Sequence, residues 1–519
     1  MDNTPEFIIT WLGMAKIGVV TALINWNLRG KQLIHSLRAS GATTFVVGVE
    51  HVEAVKEIAA ELPRGSKIYL HSGEPMDGVG ELPSNFVLLP PLLAKASTAR
   101  PAASARAGVG SLDKLFLIFT SGTTGLPKAA TVTHLRFMWV ALAFQYLHRV
   151  HSTDTIYCPL PLYHSAGGMV GVGVSWLAGI PFAFRRKFSA TAFFPDCKKF
   201  DATIVQYIGE LCRYLLSRPP SAADTDHKVR MAIGNGIRPD VWRQFIARFN
   251  IAYVGEFYGS TEGNCNLVNN QNRIGAVGFI PFFPYLKRMA PIRFVKFDMD
   301  KEEPVRGADG LCVECAPGEV GEIIGKITRD PLTRFEGYQD KKATEKKIMR
   351  DVLRKGDSWF RSGDLLRLDA DGFVYFVDRI GDTFRWRGEN VSTASVAEVL
   401  NVYRDFEDCN VYGVEVGTAE GRAGMAKVIT RVPFAQLDLA HLAEYVMGEL
   451  PAYARPLFLR FSREMEITGT FKHRKVDLVK DGFDPAACGD DDVVYLDAKA
   501  KTYKRLTAAG VAGVVAQLQ

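Results

Sequence analysis

The sequence predicts an α/β protein in which a large N-terminal domain of layered sheets and helices precedes a small α+β domain. Short apolar runs alternate with helix-sized segments in the first half, which is the pattern of a largely parallel sheet. The strand-like runs include 44–47, 115–119, 203–207 and 252–257, and the helix-sized segments include 52–61 and 240–249. A chain of 519 residues is too long for one core. Because the elements shorten after Asp378, we expect a large domain at 1–380 and a small domain at 381–519.

A segment rich in glycine and hydroxyl residues directly follows the run 115–119, which we interpret as a buried strand. Its two glycines let backbone N–H groups approach an anion, because no Cβ intervenes. Its hydroxyl groups add donors and its lysine adds a point charge. The segment therefore predicts a site for the phosphates of a nucleotide triphosphate. The candidate residues are Ser121, Gly122, Thr123, Thr124, Gly125 and Lys128.

Two common phosphate motifs do not fit this chain. A Walker loop needs four residues between its glycines and Ser or Thr after its lysine, whereas only two separate Gly122 from Gly125, and Ala129 follows Lys128. A dinucleotide fingerprint is also excluded, since Gly171-Val-Gly173 has Trp176 where the third glycine belongs. A flexible surface loop is the lesser alternative for the segment 121–125 when it is taken alone.

The segment 118–128 resembles the signature of the adenylate-forming enzymes, the superfamily of acyl-CoA synthetases, luciferases and peptide-synthetase adenylation domains. Further matches follow in the order that this superfamily shows. They are an acyl-pocket block at 159–164, an adenine-side loop at 234–239, a Tyr-Gly-x-Thr-Glu block at 258–263, a ribose clamp at 362–364 and the domain junction beginning at Asp378-Arg379.

Other blocks resemble the fatty acid transport proteins, also called very-long-chain acyl-CoA synthetases. The most specific is the junction block 381–392, and the segments 3–7, 11–18, 450–456 and 468–472 are similar to that family too. Its members usually carry a longer N-terminal region with a membrane-embedded segment before the block at Asn3. The resemblance therefore implies an N-terminally shortened form.

The resemblance implies a reaction in which a fatty acid carboxylate attacks the α-phosphate of ATP and pyrophosphate leaves. The segment from Thr120 to Lys128 would hold the β- and γ-phosphates, and Thr261 would contact the α-phosphate. Glu262 would bind Mg²⁺, which prefers carboxylate and phosphate oxygens. The nucleoside would be held by the adenine-side loop and by residues that stack on adenine or bind the ribose hydroxyls. These residues are Gly234, Asn235, Gly236, Tyr258, Asp364 and Arg379.

Lys472 is the residue expected to carry the adenylation step. The resemblance places it where a lysine bridges the carboxylate and the α-phosphate, and a positive charge there stabilises the transition state. The alternative is a surface lysine in the basic run that continues with His473. His164 is expected on the wall of the acyl pocket, with a core side chain as the alternative. A rotation of the small domain between half-reactions would use a hinge at Gly381 or Asp382, and glycine allows a large backbone change there.

Three further features narrow the function. The net charge of +6 is small for this length and gives no support for specific nucleic-acid binding. The segment 7–24 is mostly apolar, but Lys16 lies within it, so we favour a helix packed on a sheet over a membrane span. Cys312 and Cys315 form a lone Cys-x-x-Cys pair, which we place on a strand and interpret as reduced thiols.

The leading hypothesis is ATP-dependent activation of long- or very-long-chain fatty acids to acyl-CoA, coupled to uptake. Its cofactors and co-substrates would be ATP, Mg²⁺ and coenzyme A, and its partners a long-chain fatty acid and a membrane surface. A homodimer is one assembly compatible with the resemblance. The membrane would be the endoplasmic reticulum, the plasma membrane or the peroxisome, with the catalytic domains facing the cytosol. Two alternatives stay open, a transporter or fatty-acid-binding protein with little synthetase activity, and an adenylating enzyme that uses another acceptor.

Overall fold

The computed structural model of the protein describes residues 1–72, 82–120, 126–281, 291–299, 301–331, 333–466 and 473–518. The chain forms two compact units, Met1–Ile292 with Ile324–Ser362, and Arg293–Ile323 with Gly363–Gln519. The second unit thus takes in a segment from the middle of the sequence as well as the C-terminal part. The predicted functional boundary at residue 380 stays a prediction.

The described helices are α1 (Pro5–Lys16), α2 (Gly30–Ser40), α3 (Val52–Lys56), α4 (Leu89–Lys95), α5 (His134–Leu147), α6 (Gly173–Ala178), α7 (Phe193–Lys199), α8 (Gly209–Ser217), α9 (Pro239–Phe249), α10 (Lys341–Glu345), α11 (Thr393–Val402), α12 (Leu439–Glu449), α13 (Val476–Asp481) and α14 (Val511–Leu518). A π-helical segment, Ala166–Val172, leads into α6.

The described strands are β1 (Thr21–Leu23), β2 (Thr44–Gly48), β3 (Lys67–His71), β4 (Phe86–Leu88), β5 (Lys114–Thr120), β6 (Lys128–Thr133), β7 (Ile156–Cys158), β8 (Phe182–Phe184), β9 (Ile204–Ile208), β10 (Met231–Asn235), β11 (Tyr253–Tyr258), β12 (Leu267–Asn269), β13 (Gly278–Phe279), β14 (Ile292–Val295), β15 (Phe297–Asp298), β16 (Glu303–Pro304), β17 (Val320–Lys326), β18 (Ile348–Arg350), β19 (Ser358–Leu368), β20 (Phe373–Arg379), β21 (Phe384–Trp386), β22 (Glu389–Val391), β23 (Phe406–Val414), β24 (Ala423–Thr430), β25 (Phe458–Ser462), β26 (Asp492–Asp497) and β27 (Thr502–Arg505).

The first unit is built around a six-stranded sheet with the order β12-β11-β10-β9-β7-β8, parallel apart from the pair β11–β12. Successive strand residues face opposite sides, so Ile204 packs beside α5 and α6 while Val205 packs beside α7, α8 and α9. Helix α9 shows why this layering forms. Pro239 occupies its first turn, Asn250 ends it in the left-handed conformation, and its apolar face buries Trp242 among the core side chains.

Two smaller sheets also lie in the first unit. In one, β1 pairs with β5 in parallel and β5 pairs with β6 in antiparallel orientation. In the other, β2, β3 and β4 are parallel. The second unit contains a five-stranded sheet with the order β23-β24-β25-β26-β27, and α11 and α12 contribute to its core. The predicted α/β class with a largely parallel first part and an α+β C-terminal part is therefore confirmed.

Three local predictions need correction. The helix expected over 7–24 ends at Lys16, and β1 occupies 21–23. The helix expected over 52–61 is interrupted, since α3 ends at Lys56 and a 3₁₀ turn follows at Ala59–Glu61. The pair Cys312 and Cys315 lies outside the named strands, where only isolated bridges occur, although Cys312 is buried.

The apolar face of α1 supports the packed-helix interpretation of the N-terminal segment. Phe7 and Trp11 are buried in a cluster with Phe116 of β5, and the Trp11 and Phe116 rings meet edge to face at 5.3 Å. Across the described residues we find no helix that is both long enough and apolar enough to cross a bilayer.

Candidate functional site

The antiparallel pairing of β5 and β6 brings the two ends of the predicted phosphate segment together. Thr120 lies directly opposite Lys128, and Phe119 lies opposite Ala129. Residues Ser121, Gly122, Thr123, Thr124 and Gly125 lie outside the described residues. On the Lys128 side, the Nε2 atom of His35 lies 2.9 Å from the Pro127 carbonyl oxygen. The structure therefore shows a hairpin frame for this segment, and its phosphate-binding role stays a prediction.

Tyr338 connects Lys128 with the predicted metal ligand Glu262. Its hydroxyl donates to Glu262 Oε1 at 2.8 Å, and Lys128 Nζ lies 5.5 Å from the centre of its ring. The segment around Tyr338 runs along β6, because Thr131 N donates to Gly337 O and Gln339 N donates to Ala129 O. Burial, together with the charge of Glu262 and the hydrogen bond to it, raises the pKa of Tyr338, so the hydroxyl stays a donor.

A guanidinium group holds the turn that carries Thr261 and Glu262. Arg136, in the first turn of α5, donates from Nη2 to the carbonyl oxygens of Ser260 at 3.2 Å and Gly263 at 2.5 Å. Burial lowers the pKa of Arg136, and the charge of Glu262 opposes that effect. Since α5 directly follows β6, one continuous stretch of chain supplies Lys128 and also fixes the turn that carries Glu262.

The predicted acyl-pocket block lies beside the same turn. Thr261 Oγ1 donates to Ser165 Oγ at 3.2 Å, and Ser165 follows His164 in the chain. His164 O accepts from Gly168 N at 2.8 Å, where the π-helical segment begins. A Cβ on Gly168 would lie 2.6 Å from Leu162 O, so this close approach of two backbones requires glycine. The block at 159–164 thus lies beside Thr261. The place of His164 on the wall of an acyl pocket stays a prediction.

The predicted adenine-side loop leaves the carboxyl end of β10. Gly234 and Asn235 end the strand, and Gly236 follows with φ +79°. A Cβ on Gly234 would lie 2.2 Å from Tyr207 O, which excludes a larger residue without movement of the backbone. Tyr258 ends the neighbouring strand β11 and is half-buried. Ligands of parallel sheets bind at the carboxyl ends of strands, which is where these residues lie.

Glu256 lies beneath the adenine-side loop and was not singled out from the sequence. Its side chain is 1% exposed; Oε1 accepts from Gly236 N and Oε2 accepts from the hydroxyl of Tyr207. Burial raises the pKa of Glu256 to about 8, and these donors only partly oppose it. An acidic residue inside the apolar run 252–257 was the signal that could have identified it.

The predicted ribose ligands lie in the second unit. Asp364 of β19 pairs with Arg379 of β20, and Arg379 Nε lies 3.8 Å from Asp364 Oδ1. The adjacent Asp378 is buried and accepts from Thr393 N and Thr393 Oγ1 at the start of α11. Alternation along β20 therefore gives these neighbours different tasks, with Asp378 fixing a helix and Arg379 facing Asp364.

Lys472 lies outside the described residues, but the chain on either side of it is anchored. Arg474 N donates to Glu466 O at 3.1 Å, and Lys427 Nζ pairs with Glu466 Oε1 at 3.2 Å. Lys475 donates to Thr393 Oγ1 at 2.7 Å and pairs with Asp382 of the predicted hinge at 3.2 Å. The segment that carries Lys472 thus begins and ends at fixed points in the second unit.

Comparison with known proteins identifies the family. Residues 1–326 match the family model described as AMP-binding enzyme. The chain is 45% identical over 504 residues to long-chain fatty acid transport protein 1 of Mus musculus, covering 97% of this chain and 76% of that protein. It is 43% identical over 511 residues to long-chain fatty acid transport protein 2 of Rattus norvegicus, covering 98% and 80%. The chain belongs to the fatty acid transport protein family of AMP-binding enzymes. The resemblance stated from the sequence motifs is confirmed.

Solved structures confirm the fold of this fatty acid transport protein family member. A crystal structure of an anthranilate CoA ligase in complex with anthranoyl-AMP matches with a TM-score of 0.76 at 18% identity, covering 94% of this chain and 86% of that one. ATP-bound MatB from Rhodopseudomonas palustris matches with a TM-score of 0.74 at 22% identity, covering 92% and 87%. A Mycobacterium tuberculosis fatty acyl CoA synthetase matches with a TM-score of 0.58 at 22% identity, covering 92% and 86%.

The buried Glu256 predicts a pH-dependent stability. Because its pKa rises from 4.5 in the reference state to about 8 in the folded protein, the folded chain keeps a proton that the unfolded chain has released. The contribution of Glu256 to stability is therefore fully present below pH 4.5 and is lost as the pH rises towards about 8, at up to about 1.4 kcal/mol per pH unit. The Glu256→Gln variant should lack this loss.

Urea unfolding between about pH 5.5 and about pH 8 tests this expectation. The free energy of unfolding of the wild type should fall relative to that of Glu256→Gln as the pH rises. The exposed Glu57→Gln is the matched control for loss of a carboxylate. Parallel pH profiles of the wild type and Glu256→Gln would show that Glu256 titrates normally in the folded protein.

Proposed function

We propose that the protein activates long- or very-long-chain fatty acids to acyl-CoA through an acyl-adenylate. The observation that carries this proposal is the meeting of Lys128 and Glu262 on Tyr338, beside the frame of the Gly- and hydroxyl-rich hairpin. A cation and a carboxylate held next to such a hairpin suit a metal-bound triphosphate. The names of the related long-chain fatty acid transport proteins support a long-chain fatty acid as the acyl substrate.

The residues present fit Mg²⁺ and ATP in their chemistry. Glu262 offers a hard carboxylate oxygen, the donor type that Mg²⁺ prefers, and it is 9% exposed. When bound, Mg²⁺ would neutralise charge on the phosphate oxygens. Lys128 and the segment from Thr120 would hold the β- and γ-phosphates, and Thr261 would contact the α-phosphate.

The remaining site residues divide between nucleoside binding and the reacting groups. We assign the adenine side to the loop at Gly234–Gly236 and to Tyr258, and the ribose to Asp364 and Arg379. A carboxylate has two oxygens for the two ribose hydroxyls, and Arg379 is close enough to Asp364 to donate to the same sugar. Lys472 would bridge the fatty acid carboxylate and the α-phosphate, where its charge offsets the negative charge that both anions bring together. His164 would line the acyl pocket.

Activation would also favour uptake. A free fatty acid crosses between leaflets and water more readily than its CoA thioester, which carries several phosphate charges. Conversion therefore traps the acyl chain on the side where ATP and CoA are present. A fatty-acid-binding or transport protein without synthetase activity is the second candidate, and the word "transport" in the names of the relatives is the observation that favours it.

The first test is direct. Purified protein with ATP, Mg²⁺ and CoA should convert members of a series of fatty acids of increasing chain length to acyl-CoA, with one AMP released per thioester. Product is measured by mass spectrometry and AMP by chromatography, and omission of CoA should leave acyl-adenylate on the enzyme. Binding of fatty acid by folded protein without AMP release would instead select the binding-protein candidate.

Lys472→Ala should separate the two half-reactions. Adenylate formation should fall about a hundredfold or more, because the charge between the two reacting anions is lost. Binding of ATP and transfer of a preformed acyl group from acyl-adenylate to CoA should change little. Arg474→Ala is the control, since it removes a nearby positive charge that pairs with Asp477 at 2.7 Å. Equal loss of both half-reactions in folded Lys472→Ala would argue against the assigned role.

We also propose that the protein binds membranes at their surface, because its substrate partitions into bilayers and apolar side chains are exposed on the first unit. Ile9 of α1 is 66% exposed and Trp176 of α6 is 51% exposed, while Phe7 and Trp11 on the other face of α1 are buried. Alkaline carbonate should release a substantial part of the protein from membranes. Complete retention, with 7–24 protected from protease, would mean that α1 leaves its packing and inserts.

A further inference from the structure

Tyr338 was not among the predicted site residues, yet it contacts two of them. It is 7% exposed, and it contacts the predicted phosphate lysine with its ring and the predicted metal ligand with its hydroxyl. Both contacts lie within the first unit, between described residues. One side chain therefore contacts both the lysine proposed to bind phosphate and the carboxylate proposed to bind Mg²⁺.

The backbone holds Tyr338 firmly in place. It forms a bridge with Ala130 of β6, and Gly337 before it has φ +69°, a conformation that favours glycine. Thr344 binds both sides of the peptide, with Oγ1 accepting from Tyr338 N at 2.9 Å and donating to Tyr338 O at 3.2 Å. Ala130 and Ala343 pack against the side chain. The direction of the tyrosine is thus set before any ligand arrives.

The two contacts of Tyr338 act on different charged groups. Its hydroxyl occupies Oε1 of Glu262, which fixes the carboxylate plane and leaves Oε2 for a metal. Its ring faces Lys128 Nζ, and the attraction between a cation and an aromatic face holds the ammonium without cancelling its charge. Among the described residues, Lys128 and Glu262 form no ion pair with each other, so each charge stays available for a ligand.

We propose that Tyr338 is a positioning residue that orients Glu262 towards Mg²⁺ and holds Lys128 ready for the phosphates of ATP. This inference rests on the proposed function and adds to it a residue that does not touch the reacting atoms. It predicts that the two contacts can be separated by mutation. The hydroxyl should govern the dependence on metal, whereas the ring should govern the binding of phosphate charge.

Tyr338→Phe removes the hydroxyl and keeps the ring and its packing. The Mg²⁺ concentration needed for half-maximal binding of a non-hydrolysable ATP analogue should rise about tenfold, the effect of losing a hydrogen bond to a charged group. Binding of the analogue without Mg²⁺ should change less than about twofold. Tyr338→Leu removes the ring as well, and it should also weaken the Mg²⁺-independent binding. Titration calorimetry measures both quantities without turnover.

Tyr253→Phe is the matched control, because it removes a half-buried hydroxyl of the same unit that lies 3.2 Å from His148 Nδ1. The midpoint of urea unfolding identifies any variant that is not folded, and Tyr338→Leu provides a second measurement of the metal dependence if Tyr338→Phe is poorly folded. In a Glu262→Gln background, Tyr338→Phe should cause no further rise in the Mg²⁺ requirement, since the carboxylate that it orients is absent.

An unchanged Mg²⁺ requirement in folded Tyr338→Phe would overturn the positioning role, as would a full additional effect in the Glu262→Gln background. These results are distinct from failure of the proposed function. If the wild type makes acyl-CoA while Tyr338→Phe binds Mg²⁺ and analogue normally, only the inference fails. If the wild type binds the analogue but forms no adenylate, the function fails while the titration still reports on Tyr338.

Discussion

Strand β6 is the constraint on which the site in the first unit depends. It pairs with β5 on one side and with the segment 337–339 on the other, so its register fixes both the hairpin ends and Tyr338. Lys128 begins the strand, and α5 follows it with Arg136 in the first turn. A shift by one residue would move every side chain of β6 to the opposite face. Double-sided pairing makes such a shift costly, so the position of Lys128 is well defined.

Burial of two ionisable side chains is the second feature of this arrangement. Arg136 is buried beneath the 260–263 turn, and Glu256 is buried beneath the adenine-side loop. Removing the Arg136 guanidinium ion from water costs several kcal/mol, whereas burial keeps Glu256 protonated below about pH 8. Each group instead fixes a loop. Arg136 donates to two carbonyl oxygens of the 260–263 turn, and Glu256 accepts from Gly236 N. These two side chains thus define the backbone position of two loops that the proposed function assigns to ATP.

The sequence indicated the secondary-structure elements and the candidate site residues more readily than the residues that support them. Lys128, Glu262 and Gly234 could be named as candidates because the expected chemistry needs those residue types within short, continuous patterns. Tyr338 and Glu262 are 76 residues apart, and Arg136 and Gly263 are 127 residues apart. No local pattern reveals such pairs, because they depend on how strands are ordered in space. The error at 7–24 has a similar origin, since residues 21–23 pair with β5 and become a strand only through that tertiary contact.

Polar contacts within the second unit connect the residues around the predicted hinge. Lys475 joins Asp382 to Thr393, and Thr393 in turn binds Asp378, so the residues after Lys472, the start of α11 and the end of β20 form one connected set. A backbone rotation at Gly381 would separate Asp378 from Asp382 and strain this set unless the Lys475 pair opened. Nothing lies within 4 Å of a Cβ built on Gly381, so this position has room for a side chain. The side chains of Lys475 and Asp382 are 22% and 29% exposed, and a partly exposed ion pair contributes about 1 kcal/mol or less. It is therefore weak enough to open in the rotation that the hinge prediction requires.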